Sequence, residues 1–223
     1  MVEKAGATPP LRVAVVTGHH PLDFPNFQAA FRSLAGVDAY IQHMEDFVSD
    51  AGNARKGYGT VVFYNMHQHT PGNETNWYDK KTKPALDELG TTPQGIFILH
   101  HALLAFPKWP MWSKIVGIQD RSFGYHHGQK VRTEIFRRDH PITRGLEPWE
   151  MEDETYDMAD AGQGSEILLT YNHPKSMRTI AWTRTFKKAR VFCYAAGHDK
   201  TAYEDPNFRE VVRRGILWTA GRI

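Results

Sequence analysis

Histidine is the residue type that most clearly offers chemistry in this 223-residue chain, which contains twelve of them. Eight form close pairs: His19 and His20, His67 and His69, His100 and His101, and His126 and His127. Neutral imidazole is the commonest metal ligand in proteins, and it titrates near neutral pH. The pairs therefore predict metal binding or acid–base catalysis. Spacing alone does not decide which member of each pair faces a site.

His198 follows an apolar run over residues 190–195, which we interpret as a buried strand. Gly197 permits a tight turn just before it, so the imidazole is presented at the end of that strand. The neighbouring Asp199 could orient the ring or balance its charge, or it could simply cap a turn. We expect His198 to be catalytic.

His100 follows the apolar run of residues 95–99, and we expect a sharp turn from that strand into a helix. Such a turn is the geometry of a nucleophile elbow, with histidine here in place of serine or cysteine. We expect His100 to be catalytic. The alternative is that one of His100 and His101 is a buried, hydrogen-bonded histidine.

A metal site could draw on several of these histidines. His67 and His69 would face the same side of an extended backbone, and His20 lies in the loop after the first predicted strand. A divalent metal such as zinc would then be held by His20, His67, His100 and His198.

The acidic segment 152–156 supplies carboxylates, of which we select Glu154. A buried carboxylate can act as a general base or complete a histidine-rich metal site. The alternative is a solvated acidic turn.

These residues must be positioned by a sheet. Strands predicted over residues 11–17, 37–41, 60–66 and 95–99 alternate with helical patterns, which indicates a doubly wound, mostly parallel α/β fold. Ligands of such folds bind at the carboxyl ends of the strands, where the histidines fall.

We expect a flexible leader over residues 1–10 and a single domain over residues 11–223. Within it, residues 117–185 are predicted to be irregular and β-rich, with a small antiparallel excursion. A last helix should follow Asp205 and Pro206.

Composition excludes several classes of protein. A single cysteine, Cys193, rules out an intrachain disulfide and fits a cytoplasmic location. A net charge of +2 gives no support for nucleic-acid binding, and no apolar run is long enough for a membrane span. Neither a G-x-G-x-x-G nor a phosphate-binding loop motif occurs, so we expect no nucleotide cofactor.

Eight segments together resemble the trehalose-utilisation (ThuA-like) family of the class I glutamine amidotransferase-like superfamily. They are residues 60–67 (TVVFYNMH), 95–102 (GIFILHHA), 112–117 (WSKIVG), 140–146 (HPITRGL), 151–156 (MEDETY), 179–183 (TIAWT), 190–199 (RVFCYAAGHD) and 214–221 (RGILWTAG). The resemblance implies a flavodoxin-like core. It also implies that His100 replaces the elbow cysteine of true amidotransferases, so glutamine hydrolysis is not expected.

The resemblance further implies a role in bacterial carbohydrate metabolism, with a sugar or an oxidised (keto) sugar as ligand. Aromatic residues in or near loops, namely Trp77, Trp109, Trp112 and Trp149, could stack on such a ligand or belong to the core. The predicted substrate contacts are His19, His101, Trp112, His127, Tyr156 and Asp199.

Three hypotheses follow. The first is an isomerase, lyase or hydrolase that uses His100, His198 and Glu154, with or without a metal. The second is a non-catalytic sugar-binding or regulatory module on an amidotransferase-like scaffold that lacks the nucleophile. The third is a structural subunit or homo-oligomer, suggested by the aromatic residues around Trp109 and Trp112.

Overall fold

The computed structural model describes residues 8–72 and 78–223. Most of the predicted leader, residues 1–7, and Trp77 lie outside the described residues. Among those described, no helix combines the length and the apolar character needed to cross a membrane.

The described elements are nine strands, six α-helices and two 3-10 helices. The strands are β1 (Leu11–Gly18), β2 (Val37–His43), β3 (Thr60–Asn65), β4 (Gly95–Leu99), β5 (Phe123–Ile135), β6 (Trp149–Met158), β7 (Glu166–Tyr171), β8 (Thr179–Phe186) and β9 (Ala189–Tyr194). The α-helices are α1 (Phe24–Arg32), α2 (Met44–Ser49), α3 (Asp79–Asp87), α4 (Pro110–Val116), α5 (Lys200–Glu204) and α6 (Pro206–Thr219), and the 3-10 helices are Ala51–Gly57 and His100–Leu104.

All nine strands belong to one mixed sheet, in the order β2-β1-β3-β4-β9-β8-β7-β5-β6. The first five strands in this order are parallel, and every later pairing is antiparallel. The α/β class and the parallel half are therefore as predicted. The antiparallel part is larger than the predicted small excursion, because it contributes four strands to the same sheet. A doubly wound arrangement stays a prediction.

The parallel strands are buried for a simple reason. Every residue of β3 and β4 is buried, so both faces of these strands are covered, and their apolar and β-branched composition suits that environment. The last helix also begins as predicted: the Asp205 side chain accepts a hydrogen bond from the Phe208 amide, and Pro206 occupies the first turn. Its apolar face is buried.

The middle of the chain is more regular than predicted. Strand β5 begins at Phe123, within the section predicted to be irregular, and the acidic segment is the strand β6 rather than a turn. Acidic residues have low strand propensity, so the local sequence does not predict a strand at β6. Burial of Asp153, Glu154, Thr155 and Tyr156 in succession shows that tertiary packing determines this strand.

Trp112 is a core residue, and its burial contradicts its predicted role as a substrate contact. Its side chain is fully buried, its indole Nε1 donates to the Ala102 carbonyl at 2.9 Å, and its rings pack edge-on against Phe63 and Phe106. Trp109 and Trp149 are buried as well. These side chains form core rather than a ligand-facing surface, which also removes the exposed aromatic residues that suggested an oligomer interface.

We predict that Trp112→Ala lowers the free energy of unfolding by about 3–5 kcal/mol, because it empties a packed core position and removes a buried hydrogen bond. Urea unfolding followed by circular dichroism would measure this. The control Phe136→Ala removes a side chain that is 60% exposed, so it should change stability by only about 0.5 kcal/mol. Equal effects of the two variants would contradict the burial of Trp112.

Candidate active site

Three elements bring His100, Glu154 and His198 together. His100 follows β4, Glu154 lies on β6, and His198 follows β9. One ligand atom from each of these side chains lies within 4.8 Å of the other two. The residues are separated along the chain, so only the assembled sheet creates this cluster.

His100 occupies the turn predicted as an elbow. Its φ of 51° is positive, a conformation that non-glycine residues adopt only where the surrounding structure demands it. His100 is the first residue of a five-residue 3-10 helix, whereas the sequence suggested an ordinary helix start. His100 is fully buried at the carboxyl end of β4.

The hydrogen bonds of His100 fix its tautomer when the ring is neutral. Its Nδ1 lies 2.7 Å from the Ala195 carbonyl oxygen, which can only accept, so Nδ1 carries the proton. The lone pair of Nε2 then faces the Tyr156 hydroxyl at 2.8 Å, and that hydroxyl donates. Burial and the nearby Glu154 charge raise the pKa of Tyr156 well above its usual value, which keeps the phenol protonated.

Glu154 is surrounded by imidazoles. His127 Nδ1 lies 2.8 Å from one carboxylate oxygen, and His198 Nε2 lies 3.6 Å from the same oxygen. The other oxygen lies 3.4 Å from His100 Nε2. Burial alone would raise the pKa of Glu154, but a hydrogen bond from Nε2–H of a charged His100 ring, together with the charges of His100, His198 and His127, brings it below its usual value. The carboxylate is therefore ionised at neutral pH.

Asp153 is a positioning residue that the sequence analysis did not single out. Its buried carboxylate accepts backbone N–H groups from Gly197 at 2.6 Å, His198 at 3.0 Å and Glu154 at 2.8 Å. Burial raises its pKa despite these hydrogen bonds and the opposing effect of His100. The acidic run pointed to carboxylates here, but no sequence signal showed which one would bind backbone.

His198 and Asp199 combine two roles that the sequence left as alternatives. Asp199 caps α5 by accepting from the Thr201 amide at 2.8 Å, and its other oxygen lies 3.7 Å from His198 Nδ1. Burial, with a further contribution from His100, lowers the pKa of His198, although Glu154 and Asp199 oppose this. His198 is thus mostly neutral at neutral pH and can accept a proton.

His20 and His101 lie beside this cluster. Their rings stack at 4.2 Å, and His20 meets the edge of His198 at 5.8 Å. His101 Nε2 donates to the Tyr64 carbonyl at 3.1 Å, and burial lowers the pKa of His101 well below its usual value. Its buried Nδ1 has no hydrogen-bond partner among the residues that the structure describes. Tyr64, which the sequence analysis missed, places its hydroxyl between the Gly197 and His198 carbonyls at 2.8 and 3.0 Å.

His67 belongs to a second histidine cluster. It stacks on His19 at 4.0 Å and lies 6.4 Å from His43, another residue that the sequence analysis missed. His67 is buried and His69 is exposed, so this pair does not face one side as predicted. The predicted metal ligands therefore need correction. Within the described ranges, the side chains close enough together to hold one cation are His100, Glu154 and His198. This group includes Glu154 and leaves out His20 and His67. The predicted contact His19 likewise lies in this second cluster.

We predict a pH-dependent stability that depends on His67. Burial, helped by His19 and His43, lowers its pKa to about 3, against an ordinary 6.5. The unfolded chain therefore binds a proton that the folded chain does not, and stability falls as pH decreases from 6.5 towards 3. Lowering the pH from 6.5 to 5 should cost about 2 kcal/mol through this residue.

The measurement is urea unfolding at both pH values. His67→Gln should reduce the loss of stability on acidification, while the control His69→Gln, which removes an exposed histidine, should keep the wild-type loss. Identical pH dependence in His67→Gln and the wild type would show that His67 is not held neutral by burial.

Comparison with known proteins places this geometry in a family. The family model for ThuA, described as trehalose utilisation, matches residues 12–219. Comparison with curated proteins gives no match.

Solved structures share the fold. A ThuA-like protein from Parabacteroides merdae is 21% identical, with a TM-score of 0.74 over 96% of this chain and 91% of that chain. One from Bacteroides uniformis is 18% identical, with a TM-score of 0.74 over 98% of this chain and 95% of that chain. A protein from Thermoplasma acidophilum described as a GMP synthase component is 11% identical, with a TM-score of 0.55 over 96% of each chain. At these identities the likeness establishes a fold of the glutamine amidotransferase-like kind. On the strength of the family match over nearly its whole length, the chain belongs to the ThuA family.

Proposed function

We propose that this ThuA family member is an enzyme of bacterial carbohydrate metabolism that acts on a sugar or keto-sugar by acid–base chemistry. The observation that carries the proposal is the cluster of His100, Glu154 and His198, whose ligand atoms lie within 4.8 Å of one another. The family description, trehalose utilisation, supports a carbohydrate ligand. The substrate contacts would come from His127, Tyr156, Asp199 and the neighbouring His101.

The protonation states suit removal of a proton from carbon or oxygen. A carbonyl in a keto-sugar makes the adjacent C–H acidic, and neutral His198 would accept that proton on Nε2. The imidazolium formed would have the ionised Glu154 carboxylate 3.6 Å from Nε2 and the Asp199 carboxylate 3.7 Å from Nδ1, and both negative charges would stabilise it. The protonated base would then return the proton in an isomerisation or pass it to a leaving oxygen in an elimination.

The same cluster fits a divalent metal such as zinc. Two imidazoles and one carboxylate form a donor set that catalytic zinc uses, and ligand atoms on tetrahedral zinc lie about 3.4 Å apart. Here His100 Nε2 lies 3.4 Å from one Glu154 oxygen and His198 Nε2 lies 3.6 Å from the other, so both oxygens of the carboxylate would face the metal. The hydrogen bond from Nδ1 of His100 to Ala195 presents Nε2 as a ligand. When bound, a metal would polarise a carbonyl or activate water.

The second candidate function is a non-catalytic sugar-binding or regulatory module. One observation favours it: both ring nitrogens of His100 already have protein partners, Ala195 and Tyr156, as expected of a structural histidine. In this alternative the elbow has lost its nucleophile and gained a stabilising side chain.

The finer features expected from the sequence belong to the same proposal. They are a doubly wound, flavodoxin-like parallel half, a cytoplasmic location, and no nucleic-acid or membrane partner. A homo-oligomeric state also belongs to this proposal, and light scattering would test it.

We predict that His198→Ala lowers turnover by about 10²–10⁴-fold, the range for loss of a positioned acid or base. The measurement is product formation from a panel of disaccharides and their keto derivatives, followed by mass spectrometry. His67→Gln changes a histidine outside the cluster and is the matched control. Wild-type turnover in both His198→Ala and His100→Ala would reject the site. Saturable sugar binding without product in the wild type would favour the binding module.

A metal measurement separates the two forms of the proposal. Tag-free protein equilibrated with zinc and then dialysed should retain about one equivalent by plasma mass spectrometry, as expected for one three-residue site. His100→Ala, His198→Ala and Glu154→Gln should each lose it, whereas His67→Gln should retain it. A wild type that retains no zinc, manganese, nickel or iron would leave the metal-free acid–base form.

A further inference from the structure

The first part of β5 and its partner β6 form a two-stranded ribbon beside the cluster. Residues 123–132 of β5 lie along β6 alone among the described strands, whereas residues 133–135 also pair with β7. Phe123, Tyr125 and His127 alternate along this ribbon. Alternate residues of a strand project to the same face, so these three side chains share one face.

This face is exposed although it is aromatic. Phe123 is 37% exposed and Tyr125 is 58% exposed. Large apolar side chains that remain exposed together commonly mark a binding surface. By contrast, the tryptophans expected to stack on a sugar, Trp109, Trp112 and Trp149, are buried in the core.

The exposed rings continue directly into the cluster. Phe123 meets the edge of Tyr156 at 6.1 Å, and Tyr125 meets the edge of His127 at 5.2 Å. His127 in turn contacts His198 at 5.0 Å between ring centroids, and its Nδ1 binds Glu154. A ligand lying on the two exposed rings would therefore have its edge next to the imidazoles and the carboxylate.

We propose that Phe123 and Tyr125 form a stacking platform for the pyranose ring of the ligand. One face of a pyranose presents C–H groups of slight positive charge, which match the negative face of an aromatic ring. The hydroxyls lie around the ring edge, where His127 and Glu154 offer hydrogen-bonding groups. This inference rests on the proposed function for the identity of the ligand, and it assigns the specificity of the site to the closed ring form of a sugar.

The test is an NMR titration of the full chain with methyl β-D-glucopyranoside and α,α-trehalose, with acyclic sorbitol as the comparison. The wild type should bind the pyranosides more tightly than sorbitol, with saturation transfer concentrated on the C–H protons of one ring face. Tyr125→Ala should weaken pyranoside binding by about tenfold, the size expected from loss of one aromatic contact.

Two variants serve as matched controls for the loss of the Tyr125 ring. Tyr125→Phe keeps the ring and removes only the hydroxyl, so it should bind within about twofold of the wild type. Phe136→Ala removes an equally exposed phenylalanine beyond the end of β5 and should have no effect on binding. Both positions are on the surface, so the substitutions should leave the fold intact.

Three results would overturn the platform: equal binding by Tyr125→Ala and the wild type, equal binding of sorbitol and the pyranosides, or no pyranoside binding by the wild type. Monomer formation by Tyr125→Ala from a wild-type dimer, with unchanged sugar binding, would assign the face to a second copy instead. Failure of the proposed catalysis can be distinguished from failure of the platform, because His198→Ala should lose turnover and still bind pyranosides through Tyr125. Turnover that survives in His198→Ala, with Tyr125-dependent binding intact, would reject the catalytic proposal and keep the platform.

Discussion

The hydrogen bonds of the buried Asp153 carboxylate join two distant parts of the sheet. A carboxylate removed from water is costly unless its lone pairs are satisfied, and here three backbone N–H groups satisfy them. Two of these groups belong to Gly197 and His198, in the loop after β9. Removal of the carboxylate would leave those amides without partners and free the loop that presents His198. The position of His198 relative to Glu154 therefore depends on the residue next to Glu154 on the same strand.

This contact also constrains the shape of the sheet. Strand β6 is four positions from β9 in the sheet order, a distance of about 19 Å if the sheet were flat. Asp153 nevertheless lies 2.6 Å from the Gly197 amide, so the ribbon of β5 and β6 must curve back across the carboxyl ends of the parallel strands. The register shift between His126 and Gln129 lies on this ribbon, and such bulges bend a strand. The cluster is thus built from a parallel half, which supplies His100 and His198, and an antiparallel ribbon, which supplies Glu154.

The sequence predicted the parallel half of the sheet better than the antiparallel ribbon. The parallel strands β1, β3 and β4 consist mainly of apolar residues, and α6 has its cap and its proline, so local patterns were sufficient. Strand β6 carries four acidic residues within 150–154, and only tertiary pairing makes it a strand. The position of His100 at the end of β4 was predictable, but the separation of His67 from the cluster was not, because loop direction after β3 has no local signal. Trp112 was misplaced for a related reason: an aromatic residue near a loop can face either way.

Adjacent carboxylates on β6 divide two tasks through their surroundings. Asp153 meets backbone amides and has a raised pKa because it is buried, whereas Glu154 meets three imidazoles and has a lowered pKa because of them. Pairs of titratable groups whose environments drive their pKa values apart are typical of acid–base sites. The strained turn at His100 adds to this, since it holds an imidazole at the position where an amidotransferase-like elbow would hold a nucleophile. The Nδ1 of this imidazole is already bound to Ala195, and its Nε2 cannot attack a substrate without losing the hydrogen bond from Tyr156. Under the proposed function, chemistry at this elbow would therefore be proton transfer or cation binding, with Asp153 keeping the surrounding groups in place.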